Sequence, residues 1–345
     1  MKIRSVVLVG ITGVIVIIAL AVLGTPDSTH NAKVRVAFFP NIGHAIPIVG
    51  IENEIFANGL GNNTLIEKKI FDSGPQVIES LFANSIDIAY VGPGPAVNGF
   101  IKSENQNVII LAGAASGGAS FIVHPKSDIN SVDDFDGKRI AAPQIANTQD
   151  VSLRHYLSEH GYATAEKGGT VFVLNIPNPE IYTLFTKGDI DAAWVPEPWA
   201  TIFVEELGGK RLFFEEELWP ENKFASVLLI ARADYVKNNP EIIQNWLNSH
   251  DQTVDWINSN PDGTEKIFNE FMKKELGKTF PKEIIKEALS NLEITSDPIK
   301  SSIYDFAERA DSLGYLGRHG YSLDGIFYDE SNLNSLIHER YSSHD

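Results

Sequence analysis

The stretch Ile86-Asp87-Ile88-Ala89-Tyr90-Val91-Gly92-Pro93-Gly94-Pro95 decides the fold. Residues 86–91 form an apolar run of strand length, and it enters a Gly-Pro-Gly-Pro turn at 92–95. The same unit stands twice upstream: a strand at 34–39 before an amphipathic helix at 45–58, and a strand at 65–71 before a helix at 76–84. Downstream, 108–111 continues the series. Strands alternating with helical patterns imply a mostly parallel sheet covered by helices. The rhythm restarts after Ala119, with strands at 121–124, 139–142, 171–174 and 190–193 and helices near 149–160, 180–187 and 198–207. Two α/β lobes are the natural reading.

After a last apolar strand at 227–231 the strand rhythm stops. The tail from Asp234 to about Tyr341 reads as helices divided at Asn239-Pro240, Asn260-Pro261, Phe280-Pro281 and Asp297-Pro298. Each pair fits a helix stop followed by a proline-led start. Asn62-Asn63-Thr64 has the form of a glycosylation sequon. There is no short-period repeat and no low-complexity tract.

Composition narrows the function classes. The 345 residues carry 28 Lys+Arg against 45 Asp+Glu, a formal charge of −17, and 43% are hydrophobic. That hydrophobic content belongs to a folded protein. The acidic balance argues against a nucleic-acid partner, because no basic excess exists to displace phosphate counterions. The absence of cysteine removes disulfides, thiol catalysis, thiolate zinc sites, iron–sulfur clusters and a lipidated cysteine anchor.

Lys2 and Arg4 precede an apolar run from Val6 to Leu23, broken only by Gly10, Thr12 and Gly13. A basic flank before such a run is an export pattern. Its 18 residues exceed a signal core and approach the ~20 that span a bilayer. Residues 1–24 are therefore expected to be a signal peptide or transmembrane anchor, with the anchor favoured, and 25–32 a polar linker. The remainder faces outward, since the basic end stays inside.

No catalytic constellation accompanies this frame. Gly113-Ala114-Ala115-Ser116-Gly117 has its serine one place late for a nucleophile elbow, and His338-Glu339 lacks a second histidine at zinc-helix spacing. Gly277-Lys278-Thr279 resembles the end of a phosphate loop, but Met272 stands where the first glycine belongs. Val97 occupies the third glycine position of a dinucleotide fingerprint begun at Gly92. The expectation is a protein that is not an enzyme, with no cofactor and no metal site.

The loops after the strands carry more. They read Pro40-Asn41-Ile42-Gly43-His44, Asp72-Ser73-Gly74, Gly92-Pro93-Gly94-Pro95, Gly113 to Ser120 (GAASGGAS), and Pro143 to Asp150 (PQIANTQD). In open α/β sheets ligands sit at the carboxyl ends of strands. Small residues there admit backbone donors, and helix N-termini favour anions. Any one of these loops is equally a tight turn or a helix cap; five at one end of the sheets favour a cleft.

These residues resemble the solute-binding proteins of ABC importers, in the branch for nitrate, sulfonates, taurine and related compounds. The resemblance lies in Phe39-Pro40-Asn41-Ile42-Gly43-His44-Ala45, Ala89 to Pro95 (AYVGPGP), Pro143 to Arg154 (PQIANTQDVSLR) and Asp189 to Ala200 (DIDAAWVPEPWA), and it spans about 34–229. It implies a type II periplasmic-binding-protein fold: two α/β lobes with a hinge and a helical C-terminal segment. Lobe one would combine 33–118 with 226–345, and lobe two would be 119–225. It further implies an extracytoplasmic component that captures a small anionic or zwitterionic solute and delivers it to permease and ATPase subunits. The chain is expected to be a monomer held at the outer face of the membrane. A binding protein for a thiamine pyrimidine precursor and a sensor without transport stay open. A thiamine-pyrimidine synthase would need a cysteine motif that this chain lacks.

The family's cleft, carried onto this sequence, implies Asn41, His44, Ser73, Gly74, Tyr90, Gly92 and Gly94 from lobe one. Ser116 and Ser120 stand where the chain passes into lobe two, and Asn147, Thr148, Gln149, Asp150, Trp194 and Glu197 come from lobe two. His44 is either a donor to the solute or a cap for the next helix, and Trp194 is either core or cleft wall. Asp150 and Glu197 together suggest a zwitterion whose cationic end they hold.

Overall fold

The computed structural model describes residues 32–103, 107–317 and 320–329. The apolar run at 6–23 and the linker lie outside the described residues. Among the described residues no helix is long and apolar enough to cross a membrane.

The first lobe opens with β1 (Ala32–Phe38), α1 (Ala45–Glu52), α2 (Ile55–Leu60), β2 (Thr64–Ile70), α3 (Gly74–Phe82), β3 (Ile88–Val91), α4 (Pro93–Lys102) and β4 (Val108–Gly117). The expected single helix at 45–58 is two, because Glu54 turns into the left-handed region at φ 59°. The Gly-Pro-Gly-Pro segment is not a free turn: Gly92 caps α4, and Pro93 takes its first position, where a missing N–H is harmless.

The chain then crosses directly into the second lobe. β5 (Ala119–Val123) follows β4 with only Gly118 between them. The GAASGGAS stretch read as a loop is therefore strand, bent at Gly117 and Gly118, whose φ values are +72° and +73°. Small residues are needed here for packing. A Cβ on Gly113 would lie 2.0 Å from the Asp297 carbonyl oxygen, and one on Gly118 2.1 Å from Leu292 Cδ2. The second lobe continues through β6 (Arg139–Ala142), α5 (Thr148–Glu159), β7 (Phe172–Asn175), α6 (Asn178–Lys187), β8 (Ala192–Pro196), α7 (Trp199–Glu205) and β9 (Lys210–Phe214).

β10 (Ala225–Arg232) returns to the first sheet, followed by α8 (Ala233–Asn238), α9 (Pro240–Ser259), α10 (Pro261–Leu276), α11 (Lys282–Ser290), β11 (Leu292–Ile294) and α12 (Lys300–Ser312). Prolines open α9 and α10 directly after Asn239 and Asn260, as the Asn-Pro pairs predict. Strands β9 and β11 have no counterpart in the sequence reading.

The six-stranded sheet has the order β11-β4-β10-β3-β1-β2, and the five-stranded sheet β7-β6-β8-β5-β9. β1 pairs in parallel with β2 and β3, and β6 with β7 and β8; β10 runs antiparallel to β3 and β4, and β5 to β8 and β9. Both sheets are covered on two faces, so alternate residues enter different cores. Val36, Phe38, Ile88 and Tyr90 pack under α1, α9 and α10, while Ala37, Ala89 and Val91 pack against α3, α4 and α12. In the second lobe Phe121 and Val123 meet Leu153 and Leu157 of α5, while Ile122 meets Ile181, Phe185 and Phe203 of α6 and α7.

Candidate functional site

The strand-end loops of the two sheets face each other and enclose a cavity of about 90 Å³. Lobe one supplies Phe39, Asn41, Gly43 and His44 after β1, Asp72 after β2, Gly92 after β3, and Ser226 and Val227 of β10. Lobe two supplies Pro143, Gln144, Asn147, Thr148 and Gln149 after β6, Pro177 and Asn178 after β7, and Pro196 and Glu197 after β8. Gly117, Gly118 and Leu292 close the hinge side.

α5 aims its N-terminus at this space. Asn147 caps it, its Oδ1 accepting from the Thr148 N–H at 2.9 Å. The next first-turn amides have no intrahelical acceptor, and the helix dipole places partial positive charge there. The α4 N-terminus lies opposite and is donor-poor, since Pro93 and Pro95 carry no N–H. Gly94 N–H approaches Thr148 Oγ1 at 3.5 Å. A Cβ on Gly94 would stand 3.1 Å from the Ala146 carbonyl oxygen and the Thr148 nitrogen. Glycine here lets the lobes meet backbone to backbone.

His44 is buried on the lobe-one wall. Its Nδ1 accepts from the Phe39 N–H at 3.4 Å, a long bond. Burial lowers its pKa from 6.5 to about 3, so the ring is neutral, and with Nδ1 as acceptor its proton sits on Nε2. Glu197 is 1% exposed. Its Oε2 accepts from the Thr201 N–H at 3.0 Å and its Oε1 from Asn291 Nδ2 at 2.8 Å, with Arg211 at 3.4 Å. Burial pushes the Glu197 carboxyl up against these partners, which pull it down. Asn291 belongs to lobe one, so the Asn291–Glu197 bond also spans the cleft.

Among the described residues no lysine or arginine lines the cavity; the ionisable groups that do are Asp72, Glu197 and the neutral His44. Ser226 Oγ and Asn178 Oδ1 are buried without a hydrogen-bond partner. An unpaired buried donor or acceptor is costly, and a polar solute would satisfy both. Among the described residues no group of three or more His, Asp or Glu side chains is placed to hold a metal.

Of the residues that the sequence singles out, Asn41, His44, Gly92, Asn147, Thr148, Gln149 and Glu197 line the cavity. The others stand elsewhere. Tyr90 is in the lobe-one core, its hydroxyl 2.9 Å from His250 Nδ1 and accepting from Trp246 Nε1 at 3.3 Å. Trp194 is in the lobe-two core and donates to Glu215 at 2.7 Å. Ser116 and Ser120 are strand residues buried in the two sheets. Ser73 and Gly74 start α3, where Gly74 meets Pro95. Gly94 lies beneath the 146–148 backbone.

Asp150 faces away from the cavity. Its Oδ1 accepts from Arg154 Nε at 2.6 Å and Asn175 Nδ2 at 2.8 Å, and its Oδ2 from the Ala146 N–H and the Tyr315 hydroxyl, both at 2.8 Å. It holds the loop that shapes the α5 N-terminus. The sequence motifs contained Phe39 and Asp72 without assigning either to the site, and sequence reasoning missed Pro177, Asn178, Ser226 and Leu292. The strand-end rule applied to 171–174 would have found Pro177 and Asn178; Ser226 and Leu292 stand on strands and give no such signal.

Residues 27–269 match the NMT1-like family. A binding protein of Brucella abortus is 26% identical over 74% of this chain and 76% of its own length. The taurine-binding periplasmic protein of Escherichia coli is 27% identical over 57% of this chain and 59% of its own. Among solved structures, the alkanesulfonate-binding protein SsuA from Xanthomonas axonopodis pv. citri bound to MOPS superposes with a TM-score of 0.71 at 17% identity, covering 87% of this chain and 99% of that one. The periplasmic nitrate-binding protein NrtA from Synechocystis PCC 6803 gives 0.70 at 17% identity, covering 93% and 90%. These structural likenesses fix the two-lobed periplasmic-binding-protein fold.

Proposed function

The chain belongs to the NMT1-like family, and from that premise we propose that it is the extracytoplasmic solute-binding component of an ABC importer. It captures a small solute between its lobes and delivers it to a permease driven by an ATPase, without transforming it. The names of its relatives support this, since they bind taurine, alkanesulfonate and nitrate. The export-type N-terminus supports anchoring at the outer face of the cytoplasmic membrane or export after cleavage, and we read the chain as a monomer with lobe one made of 33–118 and 226–345 and lobe two of 119–225.

The observation that carries the choice of solute is the cavity's charge. An anion meets the α5 N-terminus, Thr148, Gln149 and His44 Nε2–H, while Glu197 is buried in the same lobe-two wall, after the neighbouring strand β8, and among the described residues no cationic side chain lines the space. A bare anion would meet the Glu197 carboxyl, whose nearest cation, Arg211, stands 3.4 Å away. A zwitterion places its sulfonate at the helix amides and its ammonium at Glu197, with Asp72 at the mouth. Charge-assisted hydrogen bonds of this kind contribute ~1.5–3 kcal/mol each.

A thermal-shift panel of taurine, nitrate, ethanesulfonate, bicarbonate and the thiamine pyrimidine tests this. At 100 times its dissociation constant a ligand stabilises by about 2.7 kcal/mol. Taurine is expected to raise the melting temperature, and nitrate and ethanesulfonate to leave it nearly unmoved. A shift with nitrate alone would replace the zwitterion by a bare anion, and a shift with the pyrimidine alone would move the reading to a thiamine precursor.

A further inference from the structure

The turn between α2 and β2 carries Asn62-Asn63-Thr64, and no other asparagine of the chain has Ser or Thr two places on. The Thr64 N–H returns to the Gly61 carbonyl at 3.2 Å, and the Asn63 carbonyl accepts from the Ala32 N–H at 3.2 Å. Backbone bonds therefore close the turn, with Asn62 and Asn63 at its two central positions. Neither takes a positive φ, so the backbone does not select asparagine here. Gly61, Asn62 and Asn63 are exposed, and a Cβ on Gly61 would meet nothing within 4 Å. Among the described residues nothing bonds the Asn62 carboxamide. The Thr64 hydroxyl makes only a long bond, 3.4 Å, to the Leu60 carbonyl.

This turn lies at the pole opposite the cleft. Thr64 opens the seven-residue strand β2, and Asp72, past its far end, lines the cavity. A strand of that length spans about 20 Å. β2 is also the edge of its sheet, paired only with β1, and Leu65 beside the turn is 40% exposed. An open edge with an apolar side chain invites pairing with other chains. A bulky polar group on Asn62 covers that edge and leaves the cleft open.

We propose that Asn62 is the acceptor of an N-linked glycan. The triplet is the form that such glycosylation requires, and an exposed turn of an exported chain is the setting in which it is read. The donor is a lipid-phosphate-linked oligosaccharide. Asn62 Nδ2 attacks the anomeric carbon of its first sugar, so an N–C bond forms and the C–O bond to phosphate breaks. The lipid phosphate leaves with the electron pair, and one amide proton passes to a base of the transferase. The inference rests on the outward-facing location argued above and is independent of the solute.

Mass spectrometry of the full-length protein, purified from the membranes of the cells that make it, tests the assignment. The peptide holding Asn62 is expected to carry the mass of one or more sugars. Asn62→Gln and Thr64→Val are expected to lose that mass, and Thr64→Ser to keep it, since the hydroxyl is what the transferase reads. A sugar mass that persists in Asn62→Gln would overturn the assignment. So would an unmodified Asn62 in protein that protease digests from the outer face of spheroplasts. An unmodified Asn62 in protein shielded from that protease would overturn the outward-facing location, and the glycan with it.

Discussion

Asp150, in the first turn of α5, and Glu197, directly after β8, are both buried acids of lobe two in segments that follow strands, and they have opposite fates. Asp150 accepts four hydrogen bonds, one from the Arg154 side chain and one from Tyr315 across the cleft, and none from the cavity. Glu197 has a weaker set of partners, with its nearest cation at 3.4 Å, and it lines the cavity. The lesson is that a buried acid serves a ligand when its own fold leaves it under-compensated, and serves the scaffold when its fold satisfies it. Position at a strand end does not distinguish the two.

The sharpest way to break that comparison is to remove each carboxylate. Asp150→Ala leaves Arg154 buried with only Glu166 and Asn175 beside it, and breaking a buried ion pair costs about 3–5 kcal/mol. Urea denaturation is expected to show a loss of that order. A change below about 1 kcal/mol would make Asp150 no more structural than an exposed acid.

Glu215 extends the comparison to an acid with no cation in contact. It is fully buried, accepts from Ser152 at 2.5 Å and Trp194 at 2.7 Å, and burial pushes its carboxyl up from 4.5 to about 7. A folded pKa above the unfolded value gives stability that is complete below about pH 4.5 and lost as pH rises through about 7. At 1.36 kcal/mol per unit the loss is about 3 kcal/mol. Wild type is expected to lose this much relative to Glu215→Gln between pH 4.5 and 8 in paired denaturation curves. Parallel curves for the two proteins would remove Glu215 as the cause.

Glu197→Gln is expected to leave the fold intact and to weaken zwitterion binding by about 10–100-fold, the range that losing one charge-assisted hydrogen bond gives. Titration calorimetry measures it, and unchanged affinity would return Glu197 to the scaffold class. The smallest effect belongs to Gly94→Ala. Its Cβ would press the 146–148 backbone at 3.1 Å, so about threefold weaker binding is expected with an unchanged unliganded melting temperature.

Much of this fold was legible because its strands are buried on both faces and therefore read as apolar runs. The strand at 139–142 coincides with β6, and the Asn-Pro pairs mark the starts of α9 and α10. The errors have physical causes. β9 opens on Lys210-Arg211 at a sheet edge and keeps only three apolar residues, and β11 is three residues held only by β4, so neither offers an apolar run of full strand length. The glycines and alanines at 113–119 looked like a loop but fill a strand under close packing from 292 and 297. Within the site, the residues at the start of α5 were readable from cap chemistry. The cores that take Tyr90 and Trp194 were not, because their partners His250 and Glu215 lie 160 and 21 positions away in sequence.

The most direct test of the account is a pair of titrations on the wild-type chain, taurine against isethionate. The two differ only in an ammonium exchanged for a hydroxyl. If Glu197 holds a cationic nitrogen in this cavity, taurine binds at least tenfold more tightly. Isethionate binding as well as taurine, or better, would contradict the central claim and leave the cavity a site for simple anions.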